Sequence, residues 1–218
     1  VARLLRDLGP QLRRGVPCEP RGSLPTGLPE IDRLLGGGFP RGRLCEIAGP
    51  LSAGRTSLAL ALLARATAAE EICAVVDAAD GFDPPSAEAA GVILERVLWA
   101  RPAPEPGLSR TLRGAERLLE AGGFSAVLLD PAGREQEAPR SAWARLARAA
   151  AASGSTLVVL SRERAAGPQA AVALELGALR ARFGGTPLLL EALEIEAVLV
   201  RHRAAHPERS AVLRLEAA

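Results

Sequence analysis

The sequence predicts an α/β protein with a mostly parallel sheet covered by helices on both faces, and three observations predict it. Four short runs, LCEIA at 44–48, ICAVVD at 72–77, AVLLD at 126–130 and LVVLS at 157–161, are largely apolar and lack polar alternation. That is the pattern of strands buried on both sides. Stretches with helical spacing separate these runs, as crossover connections between parallel strands require. A glycine-rich loop also joins the first run directly to an Ala/Leu-rich helical segment.

Taken in order, residues 1–15 form a short basic amphipathic segment broken at Pro10, and a Pro/Gly-rich linker runs to about Thr26. The chain therefore divides into an N-terminal basic segment and linker, 1–25, and a core domain, 26–218. Segment 28–35 has helical spacing and is stopped by Gly36, Gly37 and Gly38. Strand 44–48 feeds the loop at Gly49, and 57–69 is a helix. Strand 72–77 closes on a carboxylate, 86–90 is helical, 96–100 is a short strand and 108–121 a helix. Strand 126–130 ends in Asp130, a helix covers 141–152 with Trp143 near its start as a core residue or, alternatively, a partner contact, and 157–161 is again a strand. In such sheets ligands bind beyond the carboxyl ends of the strands, where Gly49, Asp77, Asp130 and Ser161 fall.

With 218 residues, 48% of them hydrophobic, the chain can bury a substantial core. Lysine, methionine, tyrosine and asparagine are absent, so every basic side chain is arginine, and the net charge of +2 is too small to indicate a polyanion binder by itself. Cys18, Cys45 and Cys73 are widely spaced in apolar surroundings and read as free thiols in a reducing compartment. His202 and His206 lie four apart without a third ligand nearby, so no metal centre is expected. No signal peptide or bilayer-length apolar stretch is visible, and a soluble cytoplasmic protein without membrane contact is expected.

Segment 49–57, GPLSAGRTS, has the spacing of a phosphate-binding P-loop. Small residues there let successive backbone N–H groups face phosphate oxygens, while the next helix presents its positive end. Gly49, Gly54 and Thr56 keep the frame, but Arg55 stands where the motif has lysine, and a wide planar guanidinium is no substitute for a compact ammonium. Asp130, at the end of an apolar strand, fits the second element, a carboxylate that holds magnesium.

Four segments carry a resemblance. TGLPEIDRLLGGGFPRGRLCEIAGPLSAGRTSLAL at 26–60, VVDAADGFDP at 75–84, AVLLD at 126–130 and VLVRHRAAHP at 198–207 are similar to the RecA recombinase core. The resemblance implies a RecA-like P-loop NTPase core with a nucleotide site at Gly49, Pro50, Ser52, Gly54, Arg55, Thr56, Ser57 and Asp130. Thr56 and Asp130 would then hold magnesium. It also implies DNA-binding loops at 131–140 and 162–172, whose arginines are Arg134, Arg140, Arg162 and Arg164. Arg201 and Arg203 match family lysines that reach the neighbouring subunit's nucleotide.

The chain departs from the family at several positions. Besides Arg55, Ala79 stands where the family places the glutamate that activates water, and a methyl group cannot do so. Asp80 and Asp83 lie close by in sequence without matching that position. Ser161 and Arg162 replace the Asn-Gln pair that senses the γ-phosphate. The first loop is short, and no counterpart of the family's large C-terminal domain is expected. This combination resembles the ImuA-type group, accessory proteins of inducible mutagenesis related to SulA-like proteins.

That resemblance implies a non-hydrolysing adaptor in SOS-induced translesion synthesis. It would bind RecA or a Y-family polymerase-like partner, with segment 2–14 as the docking element. A DNA-dependent ATPase, a recombinase paralogue or mediator, stays open as the alternative. No cofactor is firmly implied, and magnesium-ATP is expected to bind weakly. Single-stranded DNA binding, with no aromatic residue in either loop, should be weak and salt-sensitive.

Overall fold

The computed structural model describes residues 22–78, 80–101, 108–177, 180–185, 189–202 and 209–216. A short ribbon of β1 (Ser23–Leu24) and β2 (Phe39–Pro40) brackets helix α1 (Pro29–Leu35). Proline opens α1, and Asp32 accepts bonds from Thr26 N–H at 2.7 Å, the Thr26 hydroxyl at 2.8 Å and Gly27 N–H at 3.1 Å. Gly36 ends the helix in the left-handed conformation. Gly38 has another task, because a Cβ there would overlap the Leu24 carbonyl across the ribbon.

The remaining elements in order are β3 (Leu44–Ala48), α2 (Arg55–Ala68), β4 (Cys73–Asp77), α3 (Pro84–Ala89), β5 (Val97–Ala100), α4 (Leu108–Ala121) and β6 (Ala126–Asp130). They continue with α5 (Arg140–Ser153), β7 (Thr156–Ser161), β8 (Val172–Leu176), β9 (Arg180–Gly184), β10 (Leu189–His202) and β11 (Arg209–Glu216). Among the described residues the main sheet has nine strands. Six run parallel in the order β8-β3-β7-β6-β4-β5. The sheet continues antiparallel beyond β8 through β10 to β11, and β9 pairs with the other half of β10.

Both faces of the parallel part are buried, which explains the absence of polar alternation. Val75, Leu128 and Val158 pack with Leu58, Leu62 and Leu63 of α2 on one side. Val76, Leu129 and Val159 pack with Leu112 and Leu118 of α4 and Trp143 and Leu146 of α5 on the other. The buried set of α4, Leu108, Thr111, Leu112, Ala115, Leu118 and Leu119, has the three-four spacing of a helix lying on a sheet. Trp143 is 1% exposed and belongs to the core. Cys45 and Cys73 are buried free thiols, and burial pushes Cys73 up to about 12 and Cys45 higher still, so neither is a nucleophile at neutral pH.

The expected elements are present with small shifts in their ends. Helix α3 begins at Pro84 rather than 86, because Asp83 caps it by accepting from Ser86 N–H at 3.0 Å. Helix α2 begins at Arg55 rather than 57, directly after left-handed Gly54. Strand β5 starts one residue later than expected, since Leu94–Arg96 is a 3₁₀ turn. The antiparallel extension is the larger finding. Only its 198–207 portion carries a resemblance in the sequence, although RARF at 180–183 and LEIEA at 193–197 alternate polar and apolar residues.

Candidate functional site

The carboxyl ends of β3, β4, β6 and β7 open on a cleft lined by Thr56, Asp77, Phe82, Asp130 and Leu160, among others. Helix α2, which follows the glycine-rich loop, supplies one wall through Thr56, Ala59 and Leu60. Gly49 donates its N–H to the Ser161 carbonyl at 3.1 Å, tying the loop to the end of β7. A Cβ at Gly49 would stand 2.8 Å from the Leu176 carbonyl oxygen, and one at Gly54 (φ 81°) 2.5 Å from Cδ1 of Ile195. Gly49 is therefore required by packing against the β8 backbone and Gly54 by its left-handed conformation, whatever the loop binds. Ser52 is left-handed at φ 61°, an unusual state for a residue other than glycine. No side chain caps α2, so its first-turn N–H groups are left to a ligand or solvent.

Arg55 opens α2 half-buried, and Thr56 and Ser57 are exposed. Asp130 faces Asp77 in register across β4 and β6. Burial raises the Asp130 carboxyl above its ordinary range against the pull of the Ala132 N–H, which donates to Oδ1 at 2.8 Å. Asp77 and Glu135 push it further up, and the Arg55 guanidinium pulls it down. The structure thus brings Thr56 and Asp130 to one cleft, with a cation at its edge. Among the described residues no group of three His, Cys, Asp or Glu could hold a metal ion by itself.

The acids in the segment after β4 have structural tasks. Asp77 accepts from Gly81 N–H at 3.2 Å, Phe82 N–H at 2.8 Å and the Trp99 indole N–H at 3.3 Å. Asp80, left-handed at φ 54°, faces Arg101 at 3.5 Å, and Asp83 caps α3. Phe82 leans on Trp99 with ring centroids 5.3 Å apart, and Arg101 lies 4.5 Å over the Trp99 ring. Ala79, which sits among these acids, is outside the described residues, as are Arg203, His206, Cys18 and the N-terminal segment 2–14.

The two loop surfaces are less basic than their composition. Arg134 makes a two-pronged pair with Glu137 at 3.0 and 2.7 Å, and Arg164 meets Glu175 at 2.7 Å. Arg162 lies over Gly133, and Arg140 is exposed at the start of α5. Arg201 points back into its own subunit. A register shift between Leu199 and Arg201 in β10 precedes it, and its guanidinium donates to the carbonyls of Ala170 at 2.8 Å and Pro168 at 3.4 Å.

Two buried carboxylates carry no assigned role in the sequence reading. Glu46, in the middle of β3, is fully buried and accepts from the Ser161 hydroxyl at 3.1 Å and Ala165 N–H at 2.7 Å. Glu135 is 1% exposed and accepts from Arg162 N–H at 2.6 Å. A charge inside the apolar run LCEIA was a visible signal for Glu46. Nothing in REQE distinguishes Glu135 from its exposed neighbours.

Comparison with known proteins gives the following. A family model described as the RecA N-terminal domain matches residues 15–135. The chain is 42% identical over 109 residues to Protein RecA of Rubrobacter xylanophilus, covering 50% of this chain and 31% of that one. It is 42% identical over 106 residues to Protein RecA of Deinococcus radiodurans, covering 48% and 28%. The match thus spans about three tenths of the length of these relatives. Among solved structures, the crystal structure of the RadB recombinase superposes with a TM-score of 0.66 at 23% identity, covering 88% of this chain and 95% of that one, a likeness of fold.

Proposed function

The chain belongs to the RecA N-terminal domain family, and from that premise we propose that it is a catalytically degenerate adaptor in SOS-induced mutagenesis and translesion synthesis. In this reading the core is kept for binding rather than hydrolysis. Its partners would be RecA or a Y-family polymerase-like protein.

One observation carries the reading. Ala79 stands where a water-activating carboxylate is needed, and the acids around it are engaged elsewhere: Asp77 by Gly81, Phe82 and Trp99, Asp80 by Arg101, and Asp83 by Ser86. Among the described residues, each carboxylate next to Ala79 in the chain already has a partner, which argues against its replacing the missing base. The pairing of Arg134 and Arg164 with acids, and the inward turn of Arg201, support the same reading, since each reduces the charge available to DNA or to a neighbour's phosphate.

The cleft residues fit a magnesium-nucleotide in part. Thr56 and Asp130 would hold the ion, which would neutralise phosphate charge, while the guanidinium of Arg55, wider than a compact ammonium, would take up part of the phosphate space. We therefore expect weak magnesium-ATP affinity. Calorimetry giving micromolar affinity would overturn that expectation.

A DNA-dependent ATPase remains the second reading, favoured by the kept spacing of Gly49, Gly54 and Thr56 and by the shared cleft of Thr56 and Asp130. Turnover by the purified chain, measured with and without single-stranded DNA, separates the two. The adaptor gives no release of phosphate above a blank. DNA-stimulated turnover abolished by Asp130→Ala would establish the ATPase instead.

A further inference from the structure

The loop that follows β7 is fastened to the loop after β6 and to strand β3, in each case through a buried glutamate. Glu135 lies in the 3₁₀ turn Glu135–Glu137 after β6, and its Oε1 accepts from the backbone N–H of Arg162 at 2.6 Å and of Glu163 at 3.4 Å. Glu46 reaches the same loop from β3, where its Oε1 accepts from Ala165 N–H at 2.7 Å, Ala166 N–H at 3.4 Å and the Ser161 hydroxyl at 3.1 Å. Gln136 adds a bond from its side-chain amide to the Arg164 carbonyl at 3.2 Å. The Arg162 guanidinium fills the space beside Gly133, with Nε 2.8 Å from where a Cβ would stand.

The turn that carries Glu135 starts at the cleft. Asp130 accepts from Ala132 N–H at 2.8 Å, which fixes a tight turn with Ala132 at φ 60° and Gly133 at φ 73°. Glu135 follows directly, so its position depends on that turn. In both glutamates the second oxygen, Oε2, is buried without a hydrogen-bond partner among the described residues. A half-satisfied buried carboxylate opposes burial, so closure rests on the bonds made by the two Oε1 atoms.

We propose that loop 162–166 is a latched strap, in which Glu135 and Glu46 are positioning residues that allow it to open only as one unit and make its closure depend on the Asp130 turn. A change at Asp130, inside the cleft, is then transmitted to the exposed surface of Arg162, Glu163 and Arg164 through the turn at Ala132 and Gly133 and the Glu135 carboxylate. This holds whether or not the chain hydrolyses a nucleotide, so it stands apart from the adaptor reading.

Amide hydrogen exchange on the whole chain, read residue by residue by NMR, tests it. In the wild type the amides of Arg162, Glu163, Ala165 and Ala166 exchange slowly at one common rate. Glu135→Ala, Glu46→Ala and Asp130→Ala each raise all four by about tenfold or more, although Asp130 touches none of them, while Glu135→Gln, which keeps the acceptor, stays within about threefold of wild type. Amides of Val75, Val76, Leu128 and Leu129 report that the sheet is intact.

A rise confined to 162 and 163 in Glu135→Ala, and to 165 and 166 in Glu46→Ala, would show two separate anchors and overturn the proposal. So would unchanged rates in Asp130→Ala. Should an alanine variant fail to fold, Gly133→Ala asks the same question from an exposed position, since its Cβ must displace the Arg162 guanidinium. A common rise at the four amides supports the strap, and a change limited to the mutated turn overturns it.

Discussion

Glu46 illustrates how a single side chain can shape stability against pH. Burial raises its carboxyl above the ordinary range, and the Ala165 and Ala166 amides, Ser161 and the Arg164 charge only partly offset this. A folded state that holds a proton more tightly than the unfolded chain is favoured at low pH. The stability contributed is fully present below about 4.5 and is lost as pH rises through the raised value. Glu46→Gln keeps an acceptor and removes that loss. Its unfolding free energy, measured by denaturant titration, should vary less between pH 4.5 and 8 than that of the wild type. Glu46→Ala leaves the Ser161 hydroxyl and the Ala165 amide without their acceptor and should cost about 2–4 kcal/mol.

Asp130 follows the same sign, with burial and Asp77 working against its charge. Asp130→Asn should raise Tm at pH 7 to 8 by about 2–4 °C, an advantage that disappears below about pH 4. Stability gained by removing a charge from a cleft would mark Asp130 as a residue retained at a cost.

At the scale of elements, legibility followed burial. Strands β3, β4, β6 and β7 were readable because both of their faces are covered and their sequences are apolar throughout. Helices α4 and α5 were readable because each lays one stripe on the sheet. Strand β9 was not, since all of Arg180–Phe183 is exposed and its alternation of arginine with Ala181 and Phe183 is too short to mark a strand by itself. The glycine-rich loop was recognised from its spacing. Its further dependence on packing against Leu176 and Ile195 was not legible, because those contacts come from strands more than a hundred residues away. Gly54→Ala should accordingly lower stability by about 1–3 kcal/mol, from strain at φ 81° and from the clash with Ile195, as thermal unfolding would show. Asp83→Ala, which removes the cap of α3, should cost only about 1 kcal/mol.

For the molecule as a whole, the family could be read from the motifs at 26–60, 75–84 and 126–130, which lie within the matched residues 15–135. How the side chains around the departures from the family pattern are turned is not legible from their order in the chain. Asp80 in sequence is a plausible neighbour for a missing base, and only its left-handed backbone and its pairing with Arg101 show where it is turned. The loop arginines likewise suggest a basic rim until Glu137 and Glu175 are seen beside Arg134 and Arg164. Binding of single-stranded DNA should therefore be weak. Fluorescence anisotropy with a labelled oligonucleotide should show it vanishing between about 50 and 200 mM salt, as an electrostatic contact does.

The two tryptophans stand in contrasting places, Trp143 inside the core and Trp99 behind the cleft wall between Phe82 and Arg101, with its indole N–H on Asp77. With no tyrosine in the chain, emission comes from these two indoles. The protein thus carries its own pair of optical gauges. Trp143 reports whether the core is intact, and in a Trp143→Phe background the colour and intensity of Trp99 report any movement of the segment that joins Asp77 to Phe82. An occupant of the cleft can be followed by light without attaching a label.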